Sequence, residues 1–520
     1  MLRFSTAPKG AITDEDVFQV LVRQENADWQ TLSVYVALTP DGTSNWIELP
    51  EEVYREYDGV SHGTVAKKTY FASFDFTGTV EVRIIYHRPV NGFKILPQSS
   101  GVHAVTSQNE IRFSCSKPCK LNIEPDGDLF GCLHLFANPP REVKTEEYQN
   151  IIWFEKGLYH AQNDRRIMPN EHGVPVLQGV TNDTLIYIES GAVVCAAIEL
   201  DGLSHVKIAG GGVLSLLERC FGAAQNFCVE PVYGGFRRFA LPSVYIHAGC
   251  RDIIIQDVAM VCEFRGVCIR NSDHIAIDNI KMFSYAANGD GINLVNVCDV
   301  EIKDCYLQTA DDNLAVFTDT DSVQTLADDA VHTRPGRSAR IRMRGCVLWT
   351  NCRPFMIGGH STGSTDPRDT VEDVSVEDCD VVGVAFRIFG NSYEHNFYWS
   401  GILRILSQSE GLVRNITFQN IRIDWTKGYT GKPIHIEVRG QDQASYTESG
   451  GYQIQNVTMK NVSFENCPPR RMPSLIQSAE SGEKDCRIDG VTLENVTFNG
   501  KLIAPEDVCL SGNIINFKIV

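Results

Sequence analysis

A six-residue phrase, apolar–x–apolar–x–(Asp, Asn or Gly)–(apolar or Cys), recurs along the second half of the chain. It reads IIIQDV at 253–258, IAIDNI at 275–280, VEIKDC at 300–305 and IRMRGC at 341–346. It returns as VSVEDC at 374–379, ITFQNI at 416–421, VTMKNV at 457–462 and VTLENV at 491–496. Alternation of apolar and polar positions marks a strand with one buried face, and β-branched residues crowd these phrases. Successive starts lie 22 to 42 residues apart. One strand phrase at one phase of such a period predicts a parallel solenoid, with the shortest steps as bare coils and the longer ones carrying loop insertions. A sandwich array would alternate strand direction and gives no reason for a fixed phase. The pattern therefore predicts a right-handed parallel β-helix. TLIYIESGAVV (184–194) and HVKIAGGGVLS (205–215) read as early coils, and GNIINFKIV (512–520) as the closing segment.

The first 140 residues follow another pattern. Short alternating segments, VFQVLVRQ (17–24), LSVYVALT (32–39), KKTYFASFDF (67–76), TVEVRIIYHR (79–88), EIRFSC (110–115) and KLNIEP (120–125), stand between turn signals such as TPDG (39–42) and EPDG (124–127). Strands at this spacing predict an antiparallel β-sandwich. LHLFANPPRE (133–142) reads as its last strand, leaving through Pro139–Pro140. The expected organisation is all-β: an N-terminal β-sandwich over residues 1–141, then a β-helix over 142–520.

Composition narrows the function. At 520 residues the chain exceeds one ordinary compact domain, a limit that a solenoid escapes by growing in one dimension. A formal net charge of −18 argues against nucleic acid and anionic membranes as partners. No stretch approaches the 18 apolar residues of a membrane span. The N-terminal stretch lacks the apolar core of a secretion signal, and 17 cysteines are an odd number for a disulfide framework. A reducing, cytoplasmic location is the expectation. Cys305, Cys346 and Cys379 occupy the phrase position held elsewhere by Val or Ile, so they read as small buried hydrophobes. Cys115 and Cys119 are spaced for a metal or redox pair, but no second pair follows at zinc-site spacing.

The chemistry concentrates in residues 286–318, where NGDGINLV (288–295) and ADDNLAVF (310–317) repeat one another. Aligning Ile292–Leu294 with Leu314–Val316 puts Asp290 opposite Asp312, with Asp311 beside it. Adjacent coils stand about 4.8 Å apart, so these carboxylates would crowd and at least one should keep its proton near neutrality. A protonated acid beside ionised partners is the equipment of glycoside hydrolysis, inverting or retaining according to the carboxyl separation. Other readings stay open at this point: Asp suits solenoid turns through its tolerance of left-handed backbone, a calcium ion gathers carboxylates, and an acidic edge is simply solvated. Downstream, His360 in WTNCRPFMIGGHSTG (349–363) is a candidate to tune the acid or bind a sugar hydroxyl. Arg387 in VVGVAFRIFGN (381–391) sits in an apolar strand and should face a carboxylate or the groove. Trp349, Tyr398, Trp399 and Trp425 are candidate stacking faces for sugars.

These residues resemble the glycoside hydrolase clan of polygalacturonases (family 28) and dextranases with isopullulanase (family 49). Polygalacturonases carry Asn-Thr-Asp, Gly-Asp-Asp, Gly-His-Gly and Arg-Ile-Lys in that order. The matching stretches here are Asn288-Gly289-Asp290, Ala310-Asp311-Asp312, Gly359-His360-Ser361 and Arg387-Ile388-Phe389. The resemblance implies an inverting hydrolase with Asp311 as general acid, Asp290 and Asp312 activating water, and Asn288, His360 and Arg387 on the substrate. It implies no cofactor and no metal. Phe389 stands where the polygalacturonase lysine would grip a substrate carboxylate, and the N-terminal sandwich resembles family 49. The expected substrate is therefore a neutral α-linked glucan or oligosaccharide, cleaved in a dextranase-like way. The alternatives are a polygalacturonase-like hydrolase of pectic oligosaccharides, a fructotransferase-like enzyme, and a non-catalytic carbohydrate-binding β-helix. A sandwich edge or the open end of the helix is compatible with a homo-oligomer.

Overall fold

The computed structural model describes the whole chain apart from residues 26, 41–46, 49–61, 218–231, 236–240, 287, 319–335, 361–367, 386–399, 408–410, 427, 440–452 and 480–485. From Asn150 onward the strands form a right-handed parallel β-helix with three ladders. The first stacks Arg251–Gln256, Asp273–Asp278, Cys298–Lys303, Arg337–Arg344, Thr370–Glu377, Leu412–Asp424, Gln453–Glu465 and Arg487–Phe498. The second stacks Ala259–Cys262, Lys281–Ser284, Tyr306–Thr309, Val347–Thr350 and Asp380–Val384. The third runs through Val267–Arg270, Ile292–Val295, Leu314–Thr318, Phe355–His360, Leu403–Ser407 and Ile434–Val438.

The recurring phrase is the corner between the first two ladders. Its fifth residue takes positive φ in every copy: Asp257 (67°), Asn279 (53°), Asp304 (50°), Gly345 (65°), Asp378 (51°), Asn420 (56°), Asn461 (53°) and Asn495 (51°). Only Gly, Asn and Asp enter that region at low cost, which explains the restricted alphabet. Where amides stack they bond from coil to coil, as from Asn461 to Asn420 at 3.0 Å and from Asn495 to Asn461 at 2.9 Å. The sixth residue points inward: Cys305, Cys346 and Cys379 are fully buried in the same core as Val258, Ile280 and Ile421.

The N-terminal strands form two packed sheets, the expected sandwich. One sheet runs Leu2–Arg3, His62–Phe76, Leu133–Asn138, Cys119–Pro125 and Phe93–Leu96; the other contains Gln30–Leu32, Phe18–Gln24, Val80–Tyr86, Glu110–Cys115 and Val105–Ser107. The antiparallel expectation fails at one pair, because Leu133–Asn138 lies parallel to His62–Phe76. The first sheet lies on the second ladder of the β-helix. Phe71 stacks on Phe283 with ring centroids 5.0 Å apart, and the Tyr306 hydroxyl bonds His134 Nδ1 at 2.6 Å in the buried seam. The sandwich therefore covers the outer face of the strands that lead into the aspartate turns. The proposed boundary at residue 141 falls between Leu133–Asn138 of the sandwich and Asn150–Phe154 of the helix. Val232–Gly235, from the helical part, adds to the sandwich strand His62–Phe76.

Candidate active site

The corner between the second and third ladders stacks four short turns. Register in the third ladder pairs Val267 with Ile292, Ile292 with Leu314, and Leu314 with Phe355. Two residues upstream of each lie Arg265, Asp290, Asp312 and Arg353, one above another. Backbone bonds hold the column: Gly266 N donates to Asp290 O at 2.9 Å, Gly291 N to Asp312 O at 2.8 Å, and Asn313 N to Arg353 O at 3.0 Å. Gly291 is required here, since a Cβ on it would meet Asn313 O at 2.5 Å. Asn313 pins the turn from within, donating from Nδ2 to Thr309 Oγ1 at 2.8 Å and Trp349 O at 2.9 Å. The Thr309 and Thr350 hydroxyls both donate to the Asp311 carbonyl at 2.5 Å.

The column carries charges in the order plus, minus, minus, plus. Arg353 forms a fork on Asp312, Nε to Oδ1 at 2.7 Å and Nη2 to Oδ2 at 3.0 Å. Arg265 Nε stands 3.1 Å from Asp290 Oδ2, an ion pair without the alignment of a hydrogen bond. Asn293 Nδ2 donates to that same oxygen at 2.7 Å. Asp311 lacks such a cation; Arg353 Nη2 is 3.9 Å from its Oδ1, and the Asp312 backbone N–H donates to that oxygen at 3.0 Å. All three aspartates are buried. Burial, opposed by Arg265 and reinforced by Asp312, pushes the Asp290 carboxyl up to about 6. Burial, with Asp312 and Asp290 close by, pushes Asp311 well above the ordinary carboxylate range. The site thus holds a protonated carboxyl beside carboxylates stabilised by arginine, the pattern that separates acid from base.

The cluster is a poor cation cage. Asp311, Asp312 and Cys352 each bring one potential ligand atom within 4.8 Å of the others. However, both Asp312 oxygens accept from the Arg353 guanidinium, whose positive charge opposes a metal ion there. Burial holds the Cys352 thiol well above its ordinary value, so it stays protonated. Calcium requires six or more oxygen ligands, and this donor set does not fit it.

The other sequence candidates fare differently. Asn288 is a turn residue with φ of 56°, two residues before Asp290. His360 pairs through its backbone with Thr318 at the far end of the strands that leave the aspartate turn. That is roughly 15–20 Å along the ladder at about 3.3 Å per residue, so the position beside Asp312 belongs to Arg353 instead. Arg387, Phe389, Tyr398 and Trp399 lie outside the described residues. Trp349 and Trp425 are core residues: Trp349 is fully buried edge-on to Phe130, and Trp425 packs on Tyr429 and Phe464. Neither offers a sugar-stacking face. The sequence reading overlooked Arg265 and Arg353, although the signal is there. RGVCI, DGINL, DNLAV and RPFMI share one frame, a charged residue two positions before an alternating strand.

The model of glycosyl hydrolases family 28 matches residues 243–509, slightly more than half of the chain and the part that holds all four column residues. Among solved structures, Dex49A from Penicillium minioluteum is similar over 100% of this chain and 96% of its own, at 14% identity and a TM-score of 0.62. That likeness shows the fold. An exopolygalacturonase from Thermotoga maritima aligns with 69% of this chain and 84% of its own at 15% identity and a TM-score of 0.43. Comparison with curated proteins gave no match.

Proposed function

This chain belongs to glycosyl hydrolase family 28 and is a glycoside hydrolase; from that premise we propose that it inverts α-linked bonds in a neutral glucan or oligosaccharide. The buried carboxylate cluster carries the mechanistic part. Asp311, with its proton retained, protonates the leaving oxygen. Asp290 and Asp312, whose charges are stabilised by Arg265 and Arg353, hold and activate the attacking water from the other side. The glycosidic C–O bond breaks as water adds, so the Asp311 proton leaves with the departing sugar and the water proton passes to the base.

Phe389 supports the neutral substrate, since the resemblance calls for a lysine there to hold a uronate. The layout shared with Dex49A along the whole chain supports the same branch. A pectic substrate is the second reading, and Arg404, Lys432 and Arg439 on the coils beyond Arg353 are the cations it would call on. Those cations are at most 3% exposed, and Arg404 is bound to Glu437 at 2.8 Å, which gives them an internal role. The test is a panel of isomalto-, malto- and panose-type oligosaccharides, fructans and oligogalacturonides, with products read by mass. Cleavage of a neutral α-glucan with addition of one water is the expected outcome. Cleavage of oligogalacturonides alone would transfer the mechanism to the pectic reading, and loss of water from a fructan would indicate a transferase.

A further inference from the structure

The two sheets of the sandwich are joined by one especially short connection. Glu110–Cys115 belongs to the outer sheet and Cys119–Pro125 to the sheet lying on the β-helix, with residues 116–118 alone between them. The connection begins and ends on a cysteine, and the two Sγ atoms lie 3.7 Å apart. A disulfide needs about 2.05 Å, so the two sulfurs stand in contact but unbonded. Cys115 is buried, 2% exposed, whereas Cys119 is half-buried and lines a crevice of about 600 Å³ between sandwich and helix, next to Lys120. Cys305, Cys346 and Cys379 also stand on adjacent coils but are fully buried, out of reach of any reagent.

We propose that Cys115 and Cys119 are a reversible dithiol–disulfide site, with Cys119 attacking a small-molecule disulfide from the crevice and Cys115 resolving the product. The hydrogen bond with Cys115, with help from Lys120, holds the Cys119 thiol below its ordinary value, while the same contact and burial hold Cys115 above its own. That asymmetry suits an attacking and a resolving thiol. With oxidised glutathione, the Cys119 sulfur displaces one glutathione and forms a mixed disulfide. Cys115 then displaces the second from Cys119. Two protein thiols are oxidised, one glutathione disulfide is reduced to two thiols, and the two protons end on those thiols.

The experiment uses the folded full-length chain in glutathione redox buffers, followed by alkylation, digestion and mass spectrometry. The expected product is one peptide carrying both cysteines, lighter by two hydrogens, resistant to alkylation and restored by dithiothreitol. Cys115→Ser should trap one glutathione on Cys119, and Cys119→Ser should abolish both products. The oxidised protein should unfold at a higher temperature than the reduced one, with glycosidase turnover unchanged. The exposed Cys509 reports that the buffer is oxidising. If Cys509 is modified while Cys115 and Cys119 of the wild type both remain alkylatable, the proposal is overturned, whatever the variants do. Failure of Cys119 to take up glutathione in folded Cys115→Ser overturns it equally.

Discussion

Asp311→Asn should lower turnover at least about a hundredfold, the usual scale for removing a general acid. The amide keeps the shape and the neutral charge of the protonated carboxyl, so the fold should persist. With rising pH the variant should even gain stability relative to the wild type. Burial raises the Asp311 pKa above its unfolded value near 4. A raised carboxyl favours the folded protein below the unfolded pKa, and that contribution is lost as pH climbs toward the folded one. The melting temperature of Asp311→Asn minus that of the wild type should therefore grow from pH 4 to pH 8. Thermal scans at several pH values, run beside assays on the substrate the panel identifies, check both halves. Retained turnover would remove Asp311 from the acid role, and a flat difference in melting temperature would contradict its buried, protonated state.

Arg353→Met should be the most damaging single change outside the aspartates. It deletes the fork on Asp312 and leaves a buried carboxylate without its cation, which typically costs about 3–5 kcal/mol. Asp312 would also lose the fork that orients it toward the water, so turnover should fall at least about tenfold as well. Pairing the change with Asp312→Asn separates the two effects. The double variant removes the stranded charge and should recover most of the lost stability, measured by denaturant unfolding, without recovering activity. Equal stability of the single and double variants would show that the fork contributes little to holding the turn.

The fold was legible because its constraint is local and periodic. A corner that demands positive φ admits few residue types, so the Asp257, Asn279, Asn420 and Asn461 position marked each coil in the sequence. The same logic put Asp290 opposite Asp312, a register that the Ile292 to Leu314 pairing reproduces. The site was less legible because its partners come from other coils. Arg353 follows Asp312 by 41 residues, across an insertion whose length hides the frame. His360 attracted attention through a Gly-Gly-His motif, yet the strand carries it away from the acids. Motif letters outranked register there, and register was the better guide. The tryptophans failed for another reason: Trp349 lies on the face that the sandwich covers, and nothing in its neighbourhood of the chain announces that contact.

The most direct test of the account is the anomeric configuration of the first product, followed by proton NMR as hydrolysis begins and before mutarotation obscures it. An acid in Asp311 and water held by Asp290 and Asp312 predict release of the β-anomer from an α-linked substrate. Initial release of the α-anomer would mean a covalent glycosyl intermediate on one of these carboxylates, and would contradict the roles assigned to all three.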